Sequence, residues 1–225
     1  MPPKKPSPSK RKVLIVDDHP IMRQGLAQLI NHEPDLIVSG EAEDAPAAMT
    51  AIEQLRPDLV TVDITLPGKG GLELIKDIRA LHPELAMLVV SMHDESLYAE
   101  RVLRAGARGY IMKQEGGKLL MQAIRQVLDG QIYVSNKMSV RIVETFAAGR
   151  PAHEKSPLEN LTDREFEVFH LIGEGRGTRQ IAEQLHLSVK TVEVHRLHIK
   201  EKLKLTNAPS LVRYAVRWVE TQNVG

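Results

Sequence analysis

Five short apolar runs recur in the first half of the chain. None of them alternates polar and apolar positions, which is typical of strands buried on both faces of a sheet. Parallel sheets that are covered by helices on both faces contain strands of this kind. The runs are VLIV (13–16), LIVSG (36–40), LVTVD (59–63), MLVVS (87–91) and GYIMK (109–113).

Helical patterns lie between these runs and after the last of them. In each, the apolar residues recur at the spacing that places them on one side of a helix. Five repeats of a strand followed by a helix predict an α/β domain with a doubly wound, five-stranded parallel sheet. The predicted helices span residues 20–32, 45–55, 71–81, 97–105 and 118–128.

The pattern changes beyond residue 130. We interpret residues 131–160 as a linker, because its second half gains Pro, Gly and charge, and its first half, SNKMSVRIVETF, suits one short helix. Residues 161–225 contain helical patterns and no strand pattern, which predicts a small all-α domain. Its predicted helices span residues 163–174, 178–185, 189–203 and 208–221.

Composition narrows the class of protein further. The chain has 42% hydrophobic and 26% charged residues, as in ordinary globular domains, and it has no cysteine, which excludes disulfides and thiolate metal sites. Residues 1–10 are rich in Lys and Pro and have no apolar run, so we expect a disordered basic arm, not a signal peptide or a membrane span. The expected location is the cytoplasm, without membrane contact.

Charge is divided unequally between the two predicted domains. Residues 13–135 hold 11 Lys and Arg against 18 Asp and Glu, a net charge of −7, whereas residues 161–225 hold 10 against 8, a net charge of +2. An acidic first domain, predicted over residues 11–130, and a mildly basic second one, over 161–225, indicate different partners.

Polar side chains follow the predicted strands where those strands end. Asp17 and Asp18 follow the first strand, while Asp63, Ser91 and Lys113 close the third, fourth and fifth. Because the carboxyl ends of parallel strands meet at one edge, these residues should converge on one crevice. Adjacent buried carboxylates repel one another unless a cation lies between them, and oxygen ligands suit Mg²⁺. Such a site has the parts for phosphoryl transfer to an aspartate.

The second domain contains the pattern of a helix-turn-helix. Thr162 and Glu165 have capping-box spacing, Thr178 is expected to cap RQIAEQL, and Ser188 is expected to cap VKTVEVHRLHIKEKL, with a short connector between the last two helices. In the last helix, Val189, Val192, Ile199 and Leu203 are predicted to face the core.

The opposite side of that helix suits contact with DNA. Lys190, Thr191 and Lys200 can reach phosphates, whereas Val194 and Leu197 can contact thymine methyl groups. Glu193 either accepts a hydrogen bond from cytosine or repels DNA. Residues 208–221 carry two apolar stripes, of which the second is a candidate dimer contact.

The first domain resembles a response-regulator receiver domain, which has the flavodoxin-like fold, over about residues 11–130. The resemblance rests on VLIVDDHP, on VDITLPGKGG and on the strand-end Ser and Lys. It implies that Asp63 is the phosphoacceptor and that Asp17, Asp18, Asp63 and the backbone carbonyl of Thr65 bind Mg²⁺. It further implies that Ser91 is the switch hydroxyl, that Tyr110 is the switch aromatic, and that Lys113 pairs with the phosphate.

The second domain, through LTDREFEVFHLIGEG and IAEQLHLSVKTVEVHRLHIKEKLKL, resembles a LuxR-type helix-turn-helix. A receiver combined with this domain is similar to the NarL/FixJ response regulators. That resemblance implies a transcription factor that a partner histidine kinase controls through Asp63, and that dimerises when phosphorylated. It places Lys190, Thr191, Glu193, Val194 and Leu197 on double-stranded DNA, and it makes RNA polymerase a candidate further partner.

Some single residues of the predicted site also have purely structural explanations. Asp18 is alternatively a cap for the helix that begins near Pro20, Ser91 an ordinary strand-end hydroxyl, and Tyr110 a core aromatic. Two other functions are compatible with parts of this pattern. One is a magnesium-dependent phosphohydrolase, which the Thr at position 65 disfavours, and the other is a DNA-binding protein whose first domain only dimerises. The expected role is not that of an enzyme, beyond slow self-dephosphorylation.

Overall fold

A computed structural model describes residues 10–147 and 157–223 of the chain. It divides into two compact units, Met1–Ser135 and Asn136–Gly225. The predicted basic arm, apart from its last residue, and the part of the linker from 148 to 156 lie outside the described residues. Among the helices of the described ranges, none is long and apolar enough to cross a membrane.

The first unit is a five-stranded, wholly parallel sheet in the order β2-β1-β3-β4-β5. This strand order is that of a doubly wound, flavodoxin-like fold, so the predicted fold class is confirmed. The strands are β1 (Arg11–Val16), β2 (Leu36–Ala42), β3 (Leu59–Val62), β4 (Ala86–Ser91) and β5 (Gly109–Met112). The helices are α1 (Pro20–His32), α2 (Ala45–Leu55), α3 (Gly71–Leu81), α4 (Glu95–Ala105) and α5 (Gly117–Leu128).

Burial on both faces of the sheet explains why polar and apolar residues do not alternate along β1 and β3. Every residue of β3 and the last four of β1 are buried, since side chains on both faces meet helices. On one face, β1, β3, β4 and β5 pack against apolar residues of α1 and α5 in a single cluster. Apart from Thr61, whose hydroxyl donates to the Leu14 carbonyl, the buried parts of β1 and β3 carry only apolar side chains, and charged side chains follow where these strands end.

A glycine allows α3 to begin directly behind the end of β3. A Cβ atom on Gly71 would lie 2.0 Å from the backbone oxygen of Asp63, which is closer than any side chain tolerates. The Gly71 N–H also donates a 2.8 Å hydrogen bond to the Ile64 carbonyl. The backbone around Asp63 is therefore held by a contact that only glycine permits.

The second unit is helical. It contains α6 (Asn136–Ala147), a 3₁₀ turn (Pro157–Asn160), α7 (Asp163–Gly173), α8 (Thr178–Gln184), α9 (Val189–Lys202) and α10 (Ala208–Asn223). Phe166 and Phe169 of α7 pack against Trp218 of α10, with ring centroids 5.5 and 5.6 Å apart. Gly173 allows the same two helices to cross closely, since a Cβ there would lie 2.6 Å from the Ala215 oxygen.

The helix starts agree with prediction in two cases of three. Thr162 and Glu165 form the predicted capping box of α7, and the Ser188 side chain caps α9. The predicted cap by Thr178 was wrong: Gly177 is the N-cap of α8, and its N–H donates to the Gln180 side chain at 2.9 Å. The side chain of Gln180 therefore satisfies the backbone donor that a cap would otherwise satisfy.

Removing the α7 cap should weaken the second unit measurably. Replacing Thr162 by Ala deletes the acceptor for the Glu165 N–H, and a lost cap costs about 1 kcal/mol of unfolding free energy. Trp218, the single tryptophan, reports this because it packs on α7. Urea unfolding followed by Trp fluorescence should show the loss for Thr162→Ala and no loss for Thr206→Ala, an exposed threonine in the same unit. Equal midpoints would contradict the cap's contribution.

Candidate functional site

The sheet's hydrogen-bond ladder places the polar strand-end residues. The backbone N–H of Asp63 donates to the Val16 carbonyl at 2.9 Å, and that of Lys113 donates to the Ser91 carbonyl at 2.8 Å. These bonds continue the parallel pairing one residue past β3 and β5, so the register of the sheet fixes where both side chains start.

One ammonium group joins two buried carboxylates at this edge. Lys113 Nζ lies 2.7 Å from Asp63 Oδ2 and 2.7 Å from Asp17 Oδ2. The exposed fractions of these three side chains are 3%, 5% and 2% in the order Lys113, Asp63, Asp17. A buried charge requires a partner, and here the two carboxylates share one buried ammonium.

The group is still short of positive charge. Three carboxylates, including Asp18, and one ammonium leave a net charge of −2, which a divalent cation neutralises. Ligand atoms of Asp17, Asp18, His19 and Asp63 all lie within 4.8 Å of one another. The cluster can therefore hold a metal ion, and its carboxylate oxygens suit a hard cation. The capping alternative for Asp18 was wrong, since the N-cap of α1 is His19.

Titration of the pair follows from burial and proximity. Burial raises the pKa of Asp63, Lys113 opposes that rise, and the Asp17 charge adds to it. For Lys113, burial lowers the pKa, but the carboxylates of Asp63 and Asp17 outweigh it and the pKa is raised. The lysine therefore stays charged, and the excess negative charge falls on the carboxylates.

Ser91 and Tyr110 lie in a second layer behind this pair. Both are fully buried. The Tyr110 hydroxyl donates to the His93 carbonyl at 2.8 Å, and the His93 N–H donates to Ser91 Oγ at 3.3 Å. Burial raises the pKa of the Tyr110 phenol, and its hydrogen bond with Ser91 opposes that rise. The ring thus lies inward, in contact with the loop that follows β4.

The loops beyond β3 and β4 also meet at this edge. Thr65 Oγ1 lies 3.0 Å from Nε2 of His93, and the Thr65 backbone N–H hydrogen-bonds the Asp63 carboxylate, which lowers the pKa of Asp63. His93 therefore contacts Thr65 through its ring and Tyr110 through its carbonyl, so it connects the two loops.

The outward face of α9 is exposed and mixed in character. Val194 and Leu197 are 43% and 48% exposed, and Lys190 and Glu193 are exposed beside them. The predicted core residues Val192 and Ile199 are fully buried, but Val189 is 41% exposed. Its assignment to the core was wrong. Val189 is the first residue of α9, whereas the fully buried Val192 lies about one turn further along the helix. The outward face thus carries two aliphatic side chains, Val194 and Leu197, among polar ones.

Comparison with known proteins identifies both units. Residues 13–125 match the family described as response regulator receiver domain, and residues 159–215 match bacterial regulatory proteins of the luxR family. The oxygen regulatory protein NreC of Staphylococcus aureus is 37% identical over 210 residues, which cover 92% of this chain and 97% of NreC. This chain is a NarL/FixJ-type response regulator. It combines a receiver with a LuxR-type DNA-binding domain.

Solved structures of related response regulators show the same order of folds. RcsB of Salmonella enterica serovar Typhimurium, bound to promoter rprA in the presence of phosphomimetic BeF3−, is 27% identical with a TM-score of 0.60. The match covers 92% of this response regulator and 99% of that chain. A structure of two RcsB dimers bound to two parallel DNAs is 28% identical, with a TM-score of 0.57 and coverage of 92% and 98%.

In this response regulator, the residues predicted from strand ends are largely brought together. Asp17, Asp63 and Lys113 are in direct contact, and Asp18 belongs to the same cluster. Their chemical roles, the role of the Thr65 carbonyl and the DNA contacts of α9 stay predictions. His19 and His93 also lie at this edge, although neither was among the predicted site residues. Each follows a strand at this same edge, one next to the acidic doublet and one two residues past Ser91, and that position was the available indication.

Proposed function

We propose that Asp63 of this response regulator accepts a phosphoryl group from the phosphohistidine of a partner sensor histidine kinase. An Asp63 oxygen attacks phosphorus while the phosphorus–nitrogen bond breaks. The imidazole nitrogen of the kinase keeps the bonding electron pair and takes up a proton. The Lys113 ammonium, 2.7 Å away, favours the ionised carboxylate that this step requires.

The surrounding residues suit the charge that this transfer moves. We propose that Asp17, Asp18 and Asp63, with the backbone carbonyl of Thr65, hold Mg²⁺, which when bound neutralises charge on the phosphoryl oxygens. Lys113 would turn from the Asp17 carboxylate toward the phosphoryl group. Ser91 would donate its hydroxyl to a phosphoryl oxygen, and Tyr110 would follow the loop.

One observation carries this proposal, namely a single buried lysine shared by two buried carboxylates. An ordinary structural ion pair balances one charge with one charge, whereas this arrangement leaves an excess of negative charge at a sheet edge. Such an excess suits a site that binds a cation and then a phosphoryl group. We expect no turnover of a free substrate, only slow loss of the phosphoryl group to water.

The output of the switch is proposed to be DNA binding by α9. Lys190, Thr191 and Lys200 would contact phosphates, while Glu193, Val194 and Leu197 would meet base edges in the major groove. By analogy with the RcsB dimers on DNA, the phosphorylated protein would bind as a homodimer in the cytoplasm. RNA polymerase would then be a further partner at the promoter.

Selection of DNA tests this function directly. The full-length protein is mixed with random genomic fragments, with and without BeF3− and Mg²⁺, and the bound fragments are sequenced. We expect a defined set of fragments that is enriched more strongly with the phosphate mimic. Identical enrichment in both conditions would contradict control by phosphorylation, and no enrichment in either would contradict sequence-specific binding.

Glu193 should weaken attraction to the phosphates of any DNA. Replacing it by Lys changes the local charge by two units on the exposed face of α9, so affinity for a mixed-sequence duplex should rise about tenfold at low salt. The plot of log affinity against log salt should steepen by about 1 to 2. Fluorescence anisotropy with labelled duplex measures both quantities.

The matched control for this change is Glu220→Lys, an exposed site on α10 with the same change in charge. It should raise affinity far less, because it is not on α9. An equal gain in both variants would show that net charge alone matters and would contradict the assignment of α9 to the DNA.

A further inference from the structure

Tyr133 is bound through its backbone to β5 and to the residue before that strand. The Tyr110 N–H donates to the Tyr133 carbonyl at 2.9 Å, and the Tyr133 N–H donates to the Arg108 carbonyl at 3.0 Å. Tyr133 itself is buried, with 8% of its surface exposed. The segment after α5 therefore pairs with the strand that carries the switch aromatic.

A second attachment comes from α4. Glu95, in the first turn of that helix, is 7% exposed, and its Oε1 accepts a 2.7 Å hydrogen bond from the Ser135 N–H. A Glu near a helix N-terminus is ordinarily explained by the helix dipole. Here the carboxylate is also bound to a backbone donor 40 positions further along the chain. Charge-assisted bonds of this kind are stronger than neutral ones.

Only three residues separate Ser91 from Glu95, and the loop between them is itself tied down. His93 contacts Ser91 and Tyr110, as described above, and the Asp94 side chain caps α4 by accepting from the Ser96 N–H at 2.8 Å. A shift of Ser91 should therefore also move Glu95, because the short, hydrogen-bonded loop between them can absorb little of the movement.

We propose that Glu95 and Tyr110 clamp residues 133–135 at two points, and that this clamp passes the phosphorylation state of Asp63 to α6. The proposal rests on the proposed function of Asp63. When Ser91 turns to a phosphoryl oxygen, it gives up the His93 N–H, the loop shifts, and the Glu95 bond to Ser135 changes. Ser135 is the last residue of the first unit, and α6 begins at the next residue. Glu95 is a positioning residue in this device.

Hydrogen exchange of the full-length protein tests the clamp. Amide exchange in 131–144 is measured by mass spectrometry with and without BeF3− and Mg²⁺. In the unmodified chain, BeF3− should change exchange in this segment about tenfold. In Glu95→Ala the basal exchange at Ser135 should be faster, and the BeF3− effect should fall at least about fivefold. Glu95→Gln, which keeps an acceptor, should restore most of the effect.

Two further variants separate the clamp from general damage. Glu95→Asp keeps the charge at the helix N-terminus, but its side chain is one methylene too short to reach the Ser135 N–H. It should therefore behave like Glu95→Ala. It takes the place of Glu95→Ala in the experiment if circular dichroism shows that Glu95→Ala does not fold. Glu100→Ala removes a Glu of the same helix that pairs only with Arg104 among the ion pairs described for it. It should leave the BeF3− effect unchanged.

Phosphoryl uptake from acetyl phosphate, measured on the same samples, distinguishes the two proposals. Absence of uptake in the unmodified chain would contradict the proposed function of Asp63. Normal uptake with an equal BeF3− effect in the unmodified chain, Glu95→Ala and Glu95→Asp would overturn the clamp alone. Normal uptake with no BeF3− effect on residues 131–144 of the unmodified chain would overturn it as well.

Discussion

Replacing Asp63 by Asn is expected to abolish phosphoryl uptake from acetyl phosphate and Mg²⁺. The amide oxygen is not an ionised nucleophile, so the phosphorus–oxygen bond of an acyl phosphate cannot form. The side chain keeps its size at a site with 4% exposure. Intact-mass spectrometry of the full-length protein should therefore find the gain of one phosphoryl group in the unmodified chain and none in Asp63→Asn.

The control for this result is Asp77→Asn, a change at a half-buried aspartate of α3 that pairs with Lys69. It should label normally. The Asp63 variant should also be no less stable than the unmodified chain, because burial and, to a smaller extent, the Asp17 charge disfavour the ionised Asp63 carboxylate by more than Lys113 favours it, as its raised pKa shows. Labelling of Asp63→Asn to the normal extent would place the acceptor elsewhere, and loss of labelling together with unfolding would point to damage.

Replacing Lys113 by Met should produce the largest loss of stability. It leaves Asp17 and Asp63 buried without the ammonium 2.7 Å from each. Breaking a buried ion pair from one side costs about 3 to 5 kcal/mol of unfolding free energy. Mg²⁺ should restore about 2.7 kcal/mol at one hundred times its dissociation constant, since a bound cation replaces the missing charge.

Urea unfolding followed in two ways locates this effect. Far-ultraviolet circular dichroism reports both units, whereas the fluorescence of Trp218 reports the second unit alone. Only the dichroism transition should move in Lys113→Met. Lys118→Met, an exposed site on α5, should change stability by less than about 0.5 kcal/mol. A Lys113 variant as stable as the unmodified chain, or one insensitive to Mg²⁺, would contradict the shared-lysine interpretation.

The fold and the centre of the site were predictable because parallel strands obey simple geometry. Unbroken apolar runs indicate two-sided burial, and burial on both faces leaves charged residues only at strand ends. Asp17, Asp63 and Lys113 are nearly a hundred positions apart at the extremes, yet register alone brings them to one edge. The same reasoning found the α7 capping box, since its contacts span three residues.

Features that depend on side-chain packing were not predictable in this way. Periodicity placed Val189 in the core, but the end of a helix often diverges from the buried stripe. Gln180 displaced Thr178 as the residue that satisfies the start of α8. The hydrogen bond between Glu95 and Ser135 joins residues 40 positions apart, and nothing in the sequence of either segment predicts this contact. Such pairings are decided by the final arrangement of loops, which no local pattern encodes.

Assembly of the site from separate strands has a consequence during synthesis. Asp17 and Asp63 leave the ribosome well before Lys113, the last member of the group, and parallel pairing requires the intervening helices to fold. A nascent chain that ends short of β5 would bring its carboxylates together without a counter-charge. The group of two carboxylates and one lysine is therefore complete only when β5 has joined the sheet, and we expect a nascent chain that ends before β5 not to accept a phosphoryl group.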